Sequence, residues 1–196
     1  QVTKAESFFI QAFEIRKKLL GDMHPDCAVC MDALAMLYNK TGQYTKAEPL
    51  YLLALDIWKK VYGEFHPAYA NSIDNLATFY DRNSLYTKAE PLRIQALEIR
   101  KKVLGESHPD FAGSLNNLAA LYYAMGQFGK AEQLYIQSKD IRKRLFGDIH
   151  PDYAVSLSNL AFLYDKMGQF AKAESFYLQT LEVMKKLLGE SHPGYA

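Results

Sequence analysis

The stretch from Asn117 to Glu132 reads NLAALYYAMGQFGKAE, and the chain writes it again on either side. Residues 33–48 read ALAMLYNKTGQYTKAE, residues 75–90 NLATFYDRNSLYTKAE and residues 159–174 NLAFLYDKMGQFAKAE. The step between copies is 42 residues without insertion. Two further markers keep it: His-Pro at 24–25, 66–67, 108–109, 150–151 and 192–193, and Gly at 21, 63, 105, 147 and 189. Lys-Ala-Glu recurs at 4–6, 46–48, 88–90, 130–132 and 172–174. Independent markers in one register define a tandem array, in which each unit buries its apolar face only against its neighbours.

Within one unit the punctuation predicts two helices. Pro109 suits the first turn of a helix, where its missing N–H costs nothing. Phe111, Leu115, Leu118, Ala119 and Tyr122 then recur at helical spacing. Gly126-Gln127 breaks the pattern, and glycine suits the left-handed residue that closes a helix. A second, longer run carries Phe128, Ala131, Leu134, Tyr135, Ser138, Ile141, Leu145 and Phe146 on one face and stops at Gly147. Arg142, Lys143 and Arg144 fill its last turns, where cations oppose the helix dipole. Acid-then-base pairs four apart support the same helix in each copy: Glu14/Lys18, Asp56/Lys60, Glu98/Lys102, Asp140/Arg144 and Glu182/Lys186. Columns of Ala (5, 47, 89, 131, 173 and 35, 77, 119, 161) mark close helix approach, with the Leu34 and Tyr38 columns filling the space between.

Composition limits the function classes. The 196 residues are 49% hydrophobic, with a formal net charge of +1, which gives no electrostatic case for nucleic acid or an anionic membrane. No apolar run reaches the roughly 18 residues of a spanning helix. Two cysteines are too few for a disulfide framework, and a cytoplasmic setting is expected. The absence of an initiator Met and of a signal pattern leads to the expectation that this is a piece of a longer protein.

All five histidines sit in the His-Pro pairs. Equivalent positions in stacked hairpins lie about 8–10 Å apart, too far to share one ion. No Ser or Cys has a unique partner histidine, so the expectation is no catalytic residue, no metal site and no cofactor; His-Pro is read as the start of a helix. Cys27-Ala28-Val29-Cys30 has a redox or zinc half-site spacing, but Cys27 stands in the column of Tyr69, Phe111 and Tyr153, and Cys30 in that of Ser72, Ser114 and Ser156. Packing is the better reading. The clusters Arg16-Lys17-Lys18, Arg100-Lys101-Lys102 and Arg142-Lys143-Arg144 are expected to be solvated helix ends. Trp58 replaces the arginine of that cluster and is expected to lie half-packed on its own stack. In the deviant turn Asn83-Ser84-Leu85-Tyr86, Asn83 or Ser84 is expected to take the positive φ, with Asn83 favoured because asparagine tolerates it.

Leu118-Ala119-x-x-Tyr122, Gly126, Phe128, Ala131, Tyr135 and Ser138 resemble the tetratricopeptide signature. The 42-residue step, with Ser114 to Ala119 and Ala96 to Gly105, resembles the kinesin light chain type of that repeat. The repeat is usually about 34 residues long; here eight residues are added, and the proline that commonly ends the second helix is missing. The resemblance implies an all-α, right-handed α-solenoid of stacked helix-turn-helix hairpins over 1–196, with units at 1–23 (partial), 24–65, 66–107, 108–149, 150–191 and 192–196 (partial).

The resemblance also implies that the first helix of each unit lines a concave groove that binds an extended peptide. Its groove positions fall on Asn71, Asp74, Asn75, Thr78, Asp81 and Arg82; on Gly113, Asn116, Asn117, Ala120, Tyr123 and Ala124; and on Val155, Ser158, Asn159, Phe162, Asp165 and Lys166. The first complete repeat supplies Val29, Asp32, Ala33, Met36, Asn39 and Lys40. Asn75, Asn117 and Asn159 form a column whose amides can both donate to and accept from a peptide backbone; the alternative is that they bond the neighbouring helix A and meet no ligand. The reading is therefore a non-catalytic protein-binding module, with Tyr123, Phe162, Arg82 and Lys166 giving selectivity. The alternative is a structural spacer that self-associates through exposed terminal repeats.

Overall fold

The computed structural model describes residues 2–189, with side chains from Lys4 onward. The described residues form nine helices and no strand: α1 (Val2–Leu20), α2 (Pro25–Lys40), α3 (Tyr44–Tyr62), α4 (Pro67–Arg82), α5 (Tyr86–Leu104), α6 (Pro109–Ala124), α7 (Phe128–Phe146), α8 (Pro151–Lys166) and α9 (Phe170–Leu188). They group into two compact units, residues 1–103 and 104–196. The expected helices A are α2, α4, α6 and α8; the longer helices B are α1, α3, α5, α7 and α9. The last partial repeat, 192–196, lies outside the described residues.

His-Pro starts every helix A by one device. The Nδ1 atoms of His24, His66, His108 and His150 accept the backbone N–H two residues on, at 3.2, 3.1, 3.1 and 3.1 Å. An accepting Nδ1 carries no proton, so each ring acts as an N-cap in place of the usual Ser or Asp. Tyr62 stacks on His66 at 4.4 Å and Phe146 on His150 at 4.2 Å, which holds those two rings in place.

The turn from helix A to helix B is equally uniform. Gly126 has φ 73°, and the N–H of Gln127 reaches back to the carbonyl of Tyr122 at 2.8 Å. That bond satisfies a carbonyl the helix end would leave open. Its counterpart after α4 corrects the sequence expectation: Ser84 takes the positive φ (58°), while Asn83 sits at −96°. Asn83 occupies the position before the glycine column and caps the helix with its amide, which donates to the carbonyl of Phe79 at 2.7 Å.

Lys-Ala-Glu is a joint. Lys46, Lys88, Lys130 and Lys172 lie over the rings of Tyr38, Tyr80, Tyr122 and Tyr164 in their own hairpins, 4.7–5.1 Å from the centroids. Ala47, Ala89 and Ala131 are fully buried where helices meet. The glutamate points to the next hairpin: Tyr38 donates to Glu6 at 2.8 Å, Tyr80 to Glu48 at 2.7 Å and Tyr164 to Glu132 at 2.6 Å. Three consecutive residues thus fix a hairpin internally, allow close approach and tie it to its successor.

The cores are the expected Leu, Ala and Tyr columns. Each fully buried Leu or Ile contributes about 1.5–3 kcal/mol of transfer free energy. Trp58 is half-buried, stacks on Tyr62 at 5.8 Å and packs against both the Cys27/Met31/Ile57 cluster and the Tyr69/Ile73/Ile99 cluster. Cys27 and Cys30 are buried free thiols, in keeping with the packing reading.

The expectation for the basic clusters needs correction. Lys17, Lys18, Lys101, Lys102, Lys143 and Arg144 are exposed, but Arg100 is only 7% exposed, and Arg16 and Arg142 are half-buried. Arg16 donates to the Cys30 sulfur at 2.7 Å and Arg142 to the Ser156 hydroxyl at 2.9 Å, joining helix B to the next helix A. Trp58 cannot make that bond, and the buried Ser72 hydroxyl is left without a partner among the described residues.

Candidate binding groove

Each helix A presents the sequence-predicted positions on one face, and helix B supplies neighbours that the sequence reading did not include. In the first compact unit, α4 carries Asn71, Asp74, Asn75, Thr78, Asp81 and Arg82. Two arginines of α5 reach this face. Arg93 donates to Asp74 at 3.0 Å, to Asp81 at 2.7 Å and to the Thr78 hydroxyl at 3.0 Å. Arg100 donates to Asp74 and, at 2.7 Å, to Asn71. Both guanidinium groups are buried, so their charge is held by the two carboxylates rather than by water. Asn71, Asp74, Thr78 and Asp81 are therefore engaged within the protein.

The equivalent place one repeat earlier is built differently. Asp32 of α2 aligns with Asp74, but Tyr51 stands where Arg93 stands and Trp58 where Arg100 stands. Neither can supply a cation to Asp32. Burial pushes its carboxyl up to about 6, against a smaller downward pull from the Trp58 indole and the Asn75 amide. Its Oδ1 is buried without a hydrogen-bond partner among the described residues. Tyr51 is itself pushed up to about 12, first by burial and then by Asp32.

Between α2 and α4 lies a cavity of about 280 Å³. Asn75, Thr78 and Arg82 line it with Ala33, Met36, Asn39, Lys40 and the Tyr51 ring. Lys40 and Arg82 are exposed, and Met36 is 57% exposed.

In the second compact unit, Asn159 donates to the Asn116 amide oxygen at 2.7 Å. One of its two N–H groups is thus used between helices. Asn159 also lines a cavity of about 200 Å³ with Tyr123, Tyr135 and Phe162. Phe162 is 57% exposed, makes an edge contact with Tyr177 at 5.6 Å, and lines a second cavity of about 860 Å³ with Ser158 and Asp165. Phe170, Glu174, Tyr177, Leu178, Leu181 and Met184 of α9 contribute the facing wall. Asn117 is half-buried and Lys166 exposed, and neither lines these cavities. Among the described residues no group of three or more His, Cys, Asp or Glu could hold a metal ion, and no helix is long and apolar enough to cross a membrane.

The helix B contributions had a sequence signal. Tyr51, Arg93, Tyr135 and Tyr177 occupy one column, in which Arg93 breaks a run of tyrosines and faces acids at 74 and 81.

The family model for the Tetratricopeptide repeat matches residues 1–48, 31–102 and 110–186. Among solved structures, BtubC (BKLC) from P. vanneervenii is 29% identical over 98% of this chain and 76% of its own, with a TM-score of 0.83. The crystal structure of nearly identical TPR-like repeats from Podosopora anserina, assigned to a kinesin light chain, is 30% identical over 95% of this chain and 88% of its own, with a TM-score of 0.79. A Rap protein complexed with Competence and Sporulation Factor shares the fold at 18% identity and a TM-score of 0.75, over 92% of this chain and 48% of its own. No curated protein sequence is significantly similar to the chain.

Proposed function

Because the chain belongs to the tetratricopeptide repeat family, as an all-α helical-repeat solenoid of the kinesin light chain-like kind, we propose that it is a non-catalytic module that binds an extended segment of a partner protein along its helix A face. The reading takes 1–196 as one array in a cytoplasmic setting. The observation that carries it is Phe162: a large apolar side chain, more than half exposed, set between two cavities on the face the repeat reserves for ligands. Exposed aromatic side chains beside concave surface act as binding anchors. The Rap protein that shares the fold is itself seen with a bound factor, in line with this reading.

Within the predicted groove set, the free chemistry is uneven. Asn75, Arg82, Tyr123, Ser158, Asn159 and Phe162 line cavities and are available to a ligand. Asn71, Asp74 and much of Thr78 serve the Arg93/Arg100 network and act on a ligand only through its rigidity. Peptide-display selection on the 196-residue chain, run beside Phe162→Ala, tests the proposal. Peptides enriched by the parent and lost by the variant support it; equal enrichment by both removes the groove from the account.

A second reading has its own observation. Phe8, Ile15 and Leu19 on α1 and Leu178 and Leu181 on α9 are exposed apolar side chains, and such patches favour association. A spacer that self-associates would show concentration-dependent assembly by sedimentation, unchanged by Phe162→Ala.

A further inference from the structure

In each compact unit a side chain of one helix A meets a side chain of the next at the same pair of columns. In the second unit the pair is Asn116 and Asn159, and the Asn159 amide donates to the Asn116 oxygen at 2.7 Å. In the first it is Asp32 and Asn75, with the Asn75 amide directed at the Asp32 carboxyl. An amide keeps its donor and its acceptor at every pH, whereas a carboxyl gains a donor when it takes up a proton. Asn75 also lines the cavity of about 280 Å³ between α2 and α4. The Asp32–Asn75 pair thus connects a titratable group to a surface that a ligand can reach. The elements around it, α2, α3 and α4, each have a described helix before and after them.

The Asp32 carboxyl is met from α3 by the Trp58 indole, which can only donate, and from α4 by the Asn75 amide, which can present either end. Its Oδ1 is buried without a hydrogen-bond partner among the described residues. Tyr51 of α3 interacts with it electrostatically, and the Tyr51 hydroxyl, pushed up to about 12, stays protonated across the neutral and mildly acid range. Lys40 of α2 and Arg82 of α4 are the charged side chains lining the cavity, and α1 contributes Phe9. An ionised carboxyl calls for the N–H end of Asn75 and leaves the amide oxygen to the cavity. A protonated one can donate to that oxygen and turn the N–H groups toward the cavity.

Resting on the groove reading above, we propose that Asp32 is a positioning residue whose proton decides whether Asn75 offers a partner segment an acceptor or a donor in the α2–α4 cavity. Asp32 does not line the cavity, so it acts on a ligand through Asn75. An extended segment held by a backbone N–H on the Asn75 oxygen is bound by the ionised form and released on acidification. The second compact unit, with Asn116 in place of the aspartate, has no such dependence at its own pair.

The probes are displayed decapeptides enriched by the parent chain at about pH 7.5 and lost by Asn75→Ala, which selects those held at this cavity. Burial pushes Asp32 up to about 6, so a segment bound only by the ionised form should weaken about tenfold between about pH 7.5 and about pH 5. Asp32→Asn gives the pair the chemistry of Asn116 and Asn159, and its affinity should be equal at both values. The capping histidines of α2 and α4 are common to parent and variant, so an effect of theirs would survive that substitution. In the ligand-free parent, NMR contacts from the Asn75 side-chain N–H groups to the Met36 methyl should appear at about pH 5 and be absent at about pH 7.5. A merely structural role for Asp32 would leave those contacts unchanged. An affinity that does not fall on acidification, a fall that survives Asp32→Asn, or an amide with the same contacts at both values overturns the inference and leaves the groove reading standing. So does a set of enriched peptides of which Asn75→Ala loses none. Failure of any peptide to be enriched overturns the groove reading and this inference with it.

Discussion

The first two complete repeats place an aspartate at the same position and treat it in opposite ways. Asp74 sits between two buried arginines and pairs with both. Asp32 faces Tyr51 and Trp58, and burial pushes it up to about 6. The backbone around the two is the same hairpin. What differs is two helix B side chains, and they turn a locked polar network into a buried carboxyl with a raised pKa and no arginine facing it. In this array the repeated backbone carries the fold, and the chemical character of each helix A face is set by which helix B residues reach it.

The largest test of that comparison is Arg93→Ala. It leaves Asp74 with one arginine instead of two and removes the Arg93 pair from Asp81, and it should cost about 3 kcal/mol in chemical denaturation. Losing less than about 1 kcal/mol would mean the network is solvated rather than structural. Trp58→Arg transplants the second repeat's solution into the first. The new guanidinium should reach Asp32 and Ser72, and carboxyl NMR should find Asp32 returned from about 6 toward the ordinary value of about 4. Features common to both repeats should respond alike: His24→Ala and His66→Ala each remove an N-cap acceptor and should each cost about 1 kcal/mol. The smallest effect belongs to the deviant turn, where Ser84→Gly relieves a positive φ and should gain about 0.5 kcal/mol in the same assay.

Much of this was legible in the residues alone. Helix ends follow from His-Pro, Gly and the Lys-Ala-Glu register, because each is a local signal repeated without insertion. Which residues share one face of helix A was legible for the same reason. Its chemical state was not, because Arg93 and Arg100 lie 19 and 26 residues from Asp74 and act from another helix. Local spacing placed Arg100 in a basic helix end, while packing against α4 made it a buried ion-pair partner. The Ser84 turn failed for a related reason: propensity favoured asparagine at positive φ, but the neighbouring position needed a side-chain cap, and Asn83 provides it.

The measurement that tests the account most directly is the stability of Asp32→Asn and Asp74→Asn, compared at about pH 7.5 and about pH 4, on either side of the Asp32 transition. A carboxyl with a raised folded pKa binds more protons in the native state than in the unfolded state between about 4 and 6. Stability is therefore lost as pH rises through that window. Asp32→Asn removes that loss and should gain about 2 kcal/mol at the higher pH and close to nothing at the lower. Asp74→Asn leaves two buried arginines short of a counter-charge and should lose about 2 kcal/mol at the higher pH. Opposite signs there would establish that equivalent positions in successive repeats are electrostatically distinct. The same sign for both would contradict it.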